Sequence, residues 1–184
     1  NWRASRPSVD AARPARCPAC GSAARRPGAP LQVHGHGARE RLLLGPQARD
    51  QPVVVTSVLA RRYRCLACGA VILVVPRGAL RRRHYGAFAI ALALVLHAEG
   101  VASPEVRRVV SPWRFVGDDA RRGWRSLHRW ARDPPWPVRG LAHETSSTDR
   151  VRRIAQHLAG HAVGHGSLRD LVLAGAQVAD VHHS

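Results

Sequence analysis

The chain has 184 residues, 45 % of them hydrophobic but only 5 % aromatic, and its 29 basic residues, all arginine, face 12 acidic ones for a formal charge of +17. The apolar share excludes wholesale disorder, and no apolar run reaches the 18 residues that a membrane span needs. The charge points to a polyanionic partner, nucleic acid first.

In chain order, residues 1–13 are expected to form a disordered arm. All four cysteines then fall in two pairs, Cys17-Pro18-Ala19-Cys20 and Cys65-Leu66-Ala67-Cys68, each followed by a glycine, Gly21 and Gly69. Two intervening residues let both thiolates of a pair reach one ion from a tight turn, and the glycine lets the backbone curl around sulfur. Two such turns supply four soft ligands in a closed tetrahedral set, the pattern of one structural Zn2+ site. Arg16 and Arg64 are expected to help neutralise the thiolates. His34 and His36 lie in the gap as rival ligands, but four cysteines already complete the set and surface positions suit them better. Two disulfides would fit a secreted chain, and nothing marks this one as secreted. A redox pair would open a helix after a strand, whereas strands are expected on both sides here.

The strand segments are Leu31-Gln32-Val33, Arg41–Leu44, Val53–Leu59 running on to Tyr63, and Val71–Val75. Gly45-Pro46 and Asp50-Gln51-Pro52 break the series, and Pro76 ends it. Residues 14–76 are thus expected to be a zinc ribbon with a small antiparallel sheet.

Beyond Pro76 the apolar period becomes helical. Leu80, Tyr85, Phe88, Leu92 and Val95 predict a buried central helix over 77–98, stopped by Gly100. Ser103-Pro104 starts a short helix to Val110. Asp118 or Asp119 caps a third, about 120–132, with Trp124, Leu127, Trp130 and Ala131 inward and arginines outward. This order of helices predicts a helix-turn-helix-like domain over 77–133. On the third helix, Arg122, Arg125 and Ser126 are the candidates for base edges, and Arg121, Arg129 and Arg132 for phosphates. Arg61, Arg62, Arg81 and Arg82 are further DNA-contact candidates. The clustered Trp113, Trp124, Trp130 and Trp136 read as core, with base stacking the minor alternative. Residues 134–148, opening on Pro134-Pro135-Trp136-Pro137, read as a linker. Residues 149–184 read as a helical pair, about 149–160 and, after the Ser167 cap, 168–179, that closes the core or forms a homodimer contact. His157, His161 and His165 recur every four residues, but no carboxylate accompanies them and glycines weaken the helix. No nucleophile is paired with a base: Thr145, Ser146 and Ser147 beside His143 read as a helix cap, and the carboxylates, Asp180 among them, sit mostly at expected caps. His182-His183 is too short to carry a site. No catalysis and no small-molecule substrate are expected.

The run from Cys17-Pro-Ala-Cys20-Gly21-Ser22 through His36-Gly-Ala-Arg39 to Arg61-Arg62-Tyr63-Arg64-Cys65-Leu-Ala-Cys68-Gly69 and Val74-Val75-Pro76 resembles the N-terminal zinc ribbon of bacterial insertion-sequence transposases. The following Leu80–Arg132, with Gly123-Trp124-Arg-Ser-Leu127-His-Arg129-Trp130, is similar in layout to the helix-turn-helix after that ribbon. The likeness extends to small transposase-like zinc-ribbon proteins of unknown function, and covers about residues 14–133. It implies zinc ligation by Cys17, Cys20, Cys65 and Cys68 and duplex-DNA recognition by the third helix. It brings no catalysis, because the three-carboxylate nuclease domain of that family has no counterpart here. The expected class is α+β: a four-cysteine zinc ribbon, a helix-turn-helix-like bundle and a C-terminal helical pair. The expected function is zinc-dependent DNA binding, as a recognition module or as a regulator of a mobile element, in the cytoplasm at the nucleoid and away from membranes. The alternative is a zinc-ribbon adaptor for a protein or RNA partner.

Overall fold

The computed structural model describes residues 7–144 and 146–179. It is an α+β protein with two compact units. Of the described residues, one comprises 7–42 together with Ser57–Arg77, and the other Leu43–Thr56 together with 78–144 and 146–179. Among the described residues no helix is long and apolar enough to cross a membrane.

The sheet has three strands, β1 (Val33–Leu44), β2 (Val55–Cys65) and β3 (Val71–Val74), in that spatial order. β2 and β3 run antiparallel, with Arg61 opposite Val74 and Arg64 opposite Val71. The two strands expected at Leu31–Val33 and Arg41–Leu44 are one continuous strand. Its middle, Gly35–Arg39, is polar and exposed and gives no apolar alternation to read.

In the first unit, side chains alternate across the β2–β3 ladder as the pleat requires. Tyr63 and Ile72 face each other and are buried with Ala12, Cys17, Ala24, Val33 and Cys65. Residues 7–13, expected within a disordered arm, are folded here. Tyr63 Oη donates to the Val9 carbonyl at 2.6 Å, and the Arg61 guanidinium donates twice to the Pro7 carbonyl, at 2.9 and 2.6 Å. Arg13 pairs with Asp10 and donates to the Val33 carbonyl. The remainder of the expected arm, 1–6, lies outside the described residues.

The second unit is helical, with α1 (Ala87–Ala98) at its centre. α1 is buried almost all round, as an apolar helix in a small bundle must be. It begins ten residues later than the pattern predicts. Gly78 and Arg82 adopt positive φ, 86° and 54°, which no helix tolerates, and Tyr85 is held in a parallel bridge to Leu44. The next helices are α2 (Ser103–Val110), the single turn α3 (Asp118–Arg121) and α4 (Arg125–Arg132). The one helix expected over 120–132 is therefore broken at Arg122–Trp124. Arg122 and Trp124 have extended backbones. The Trp124 N–H donates to Ser103 Oγ at 2.7 Å, so that serine serves α4 rather than capping its own helix. Trp124, Tyr85 and Trp130 then meet edge to face, with ring centroids 4.9–5.4 Å apart. Seating Trp124 in this cluster takes the chain out of helical register.

The segment read as a linker is part of the core. Pro134, Pro135 and Trp136 are buried, Trp136 completely. A single 3-10 turn, Leu141–His143, follows. In α5 (Ser147–Ala159) and α6 (Leu168–Val178) the expected Val151, Ile154, Leu158, Val172 and Ala176 join the core with α1, and so does Leu173, while the expected Leu171 is only half-buried. The pair closes the core of this unit. Ser146 and Ser167 cap the two helices, each accepting an N–H three residues on at 3.2 Å. Thr145, Asp180 and His182-His183 lie outside the described residues.

Candidate metal centre

Both cysteine pairs sit in the same backbone turn. In the first, Cys17 N–H donates to the Ser22 carbonyl at 2.9 Å and Gly21 N–H to the Cys17 carbonyl at 2.8 Å. In the second, Cys65 N–H donates to the Ala70 carbonyl at 2.9 Å and Gly69 N–H to the Cys65 carbonyl at 2.9 Å. Gly21 and Gly69 close the turns at φ 71° and 74°, a conformation that side-chain-bearing residues avoid. Leu66 N–H donates to Gln32 O and Gln32 N–H to Ala24 O, which ties the second turn to the segment after the first.

This pairing brings Cys17, Cys20, Cys65 and Cys68 together with all four sulfurs within 4.8 Å of one another. The cross-turn separations Cys17–Cys68 and Cys20–Cys65 are both 3.8 Å. A disulfide needs about 2.05 Å, and all four thiols are free. A tetrahedron of thiolates with metal–sulfur bonds of about 2.3 Å has edges of about 3.8 Å. The donor set therefore fits an ion of that size. Cys17 and Cys65 are buried while Cys20 and Cys68 reach the surface.

The charges within the cluster are strained in opposite directions. Hydrogen bonds from the Ser22 side chain, then its backbone, hold Cys20 down at about 6. For Cys68 the Ala70 backbone bond acts downward, but the neighbouring Cys20, Cys17 and Cys65 thiols and burial prevail and push it up to about 12. Thiolates this close repel one another, and a divalent cation held between them would offset that repulsion. Arg16 donates to the Gly21 carbonyl at 3.3 Å, beside the first turn. Ser22 is the one contributor that spacing alone did not single out. Its hydroxyl lies 3.3 Å from Cys20 Sγ.

His34 and His36 are exposed on β1 and belong to no metal-ligand cluster. The His157–His161–His165 ladder does not form either: α5 ends at Ala159, and only His157 and His161 meet, edge to face at 4.8 Å. Among the described residues the four cysteines are the one group placed to share an ion.

The DNA-contact candidates are scattered unevenly. Arg61 is half-buried and engaged with Pro7. Arg62 is half-buried on β2, and Arg81 and Arg82 are exposed in the turn before α1. Arg121 and Arg122 lie at α3, where Arg122 pairs with Asp119 at 3.2 Å. Ser126 is half-buried. Arg125, Arg129 and Arg132, at i, i+4 and i+7 of α4, are all exposed, opposite buried Leu127, Trp130 and Ala131. None of these three is in an ion pair among the described residues. α2 packs on α1, α4 packs on both α5 and α1, and the two are joined by the long segment 111–124.

Comparison of the chain with protein-family models, with curated proteins and with solved structures gives no match in any of the three.

Proposed function

We infer that the protein binds duplex DNA through its helical unit and carries one structural Zn2+ in its cysteine unit. Two CxxC turns joined by a β-hairpin and followed by a strand make a zinc-ribbon reading of the first unit, and the edge lengths of the sulfur cluster support it. The observation that carries the DNA reading is the α4 face, where Arg125, Arg129 and Arg132 are exposed and in no ion pair among the described residues, in a chain with an excess charge of +17. Such a face neutralises phosphates and releases counterions. Arg61 drops out of the set, because its guanidinium holds the chain at Pro7. The resemblance to transposase N-terminal regions makes a recognition module or a regulator of a mobile element, without catalysis of its own, the role that suits this binding.

The test is fluorescence anisotropy on a labelled duplex at salt concentrations from about 50 to about 200 mM. The expected result is a binding constant that falls steeply and linearly on logarithmic axes. Replacing Arg125, Arg129 and Arg132 together by alanine is expected to reduce that slope by about 3. A flat salt dependence, or retention of a protein partner with no DNA retained, overturns the reading.

A further inference from the structure

Of the four tryptophans between positions 113 and 136, three are core and one is not. Trp124, Trp130 and Trp136 are 6 %, 1 % and 0 % exposed, whereas Trp113 is 54 % exposed. It stands in the loop between α2 and α3, followed by exposed Arg114, Phe115 and Val116. A monomeric surface tolerates single apolar residues, but three within four positions on one loop mark an interaction site.

The loop is anchored rather than loose. At its start, Ser111 Oγ accepts from Tyr85 Oη at 2.9 Å and from the Trp113 N–H at 3.3 Å. At its far end, Arg107 lies over the Phe115 ring, 2.9 Å from the centroid, and donates to the Asp119 carbonyl at 3.2 Å. These ties hold both ends while Trp113 projects. Trp113 has no aromatic ring partner among the described residues, unlike Trp124 and Trp130, which pack edge to face on each other and on Tyr85.

We propose that Trp113, with Phe115 and Arg114, is a stacking platform for unpaired DNA bases beside the duplex-binding face. Charge selects this occupant: from Arg107 to Arg125 the chain carries six arginines (107, 108, 114, 121, 122 and 125) against Asp118 and Asp119. An unpaired strand offers both phosphates for the arginines and flat π faces for the indole, and stacking of this kind is indifferent to base identity. The loop leads from α2 into α3, the turn that precedes the arginine-bearing α4 in the chain. The inference deepens the DNA-binding reading and rests on it.

The experiment compares two labelled duplexes of one sequence, fully paired and with a central run of mismatches, by anisotropy at fixed salt. Wild-type protein is expected to prefer the mismatched duplex. Trp113→Ala is expected to weaken binding to the mismatched duplex about tenfold and to leave the paired one unchanged. Trp113→Phe, which keeps an aromatic face, restores most of the preference, and Trp113→Leu, which keeps only apolar bulk, does not. The exposed position leaves the core untouched in all three variants. Equal binding of the two duplexes by wild type overturns the platform while leaving the DNA reading in place, as does an equal loss on both in Trp113→Ala. Binding of neither duplex overturns both. Trp113-dependent binding to vesicles with anionic headgroups, without the mismatch preference, assigns the loop to a lipid surface and overturns the platform.

Discussion

The two units reach stability by different routes. Among the described residues, the helical unit buries 27 in one cluster, including Trp130, Trp136, Leu94 and Ile154. The cysteine unit buries seven, and two of those are Cys17 and Cys65 themselves. A core that small cannot offset the conformational entropy of its chain, and small domains of this kind depend on a metal or on disulfides. The cysteines are placed accordingly: β2 ends at Cys65, two residues beyond buried Tyr63, so sheet core and sulfur cluster share a face. One unit is thus built on apolar area, and the other sets a small apolar core beside four clustered sulfurs.

Metal removal is the largest expected break in that comparison. Structural zinc contributes folding energy directly, on the order of 10 kcal/mol in small zinc domains. Chelation, or Cys17→Ser with Cys65→Ser, is expected to abolish hydrogen-exchange protection at Tyr63 and Ile72 while protection through α1, α5 and α6 persists. Elemental analysis should find one zinc per chain before treatment. Unchanged protection at Tyr63 in metal-free protein would sink the zinc assignment.

The converse break lies at Gly175, on α6. A Cβ there would lie 1.7 Å from the Leu158 carbonyl oxygen, which is backbone and cannot step aside. Gly175→Ala must push α5 and α6 apart, at a cost of about 3 kcal/mol. The expected readout is a lower urea midpoint for the tryptophan signal of the helical unit, with zinc stoichiometry unchanged. An unaltered midpoint would mean that the two helices do not approach this closely.

How much of this was legible in the sequence follows from what sets each feature. The clustering of the four cysteines was legible because two CxxC-Gly turns are local motifs whose geometry the chain carries with it. α5 and α6 were legible from periodic apolar residues and serine caps, and the inward face of α4 from Leu127, Trp130 and Ala131. The start of α1 was not, because Leu80 and Tyr85 keep a helical spacing while Gly78 and Arg82 turn the backbone the other way. The break at Gly123 was not, because it depends on where Trp124 finds Tyr85 and Trp130. Pro134-Pro135-Trp136 carries the composition of a linker, and only the packed unit shows that it lines the core. The same holds for Trp113: four tryptophans look alike in a sequence, and tertiary packing decides which one is left outside.

The smallest expected effect is a pH response of the helical unit alone. On α5, His157 is half-buried, its Nε2 is enclosed without a hydrogen-bond partner among the described residues, and its ring stands against His161 at 4.8 Å. Burial first, and then the neighbouring His161, hold its pKa below the ordinary histidine value. A base whose folded pKa is depressed contributes stability that is full above the unfolded value, about 6.5. That stability is lost as pH falls below it, since the unfolded chain then binds the proton more readily. The urea midpoint of the helical unit is therefore expected to fall between about pH 7.5 and about pH 5.5, a window that brackets the unfolded value, and His157→Gln is expected to reduce that fall. The tryptophan signal suits the measurement, because Trp124, Trp130 and Trp136 report from this core. Acid also protonates cysteine ligands and releases metal, but that loss belongs to the other unit and is the same in both proteins. If His157→Gln and wild type lose stability in parallel on acidification, the enclosed imidazole is not what senses the proton.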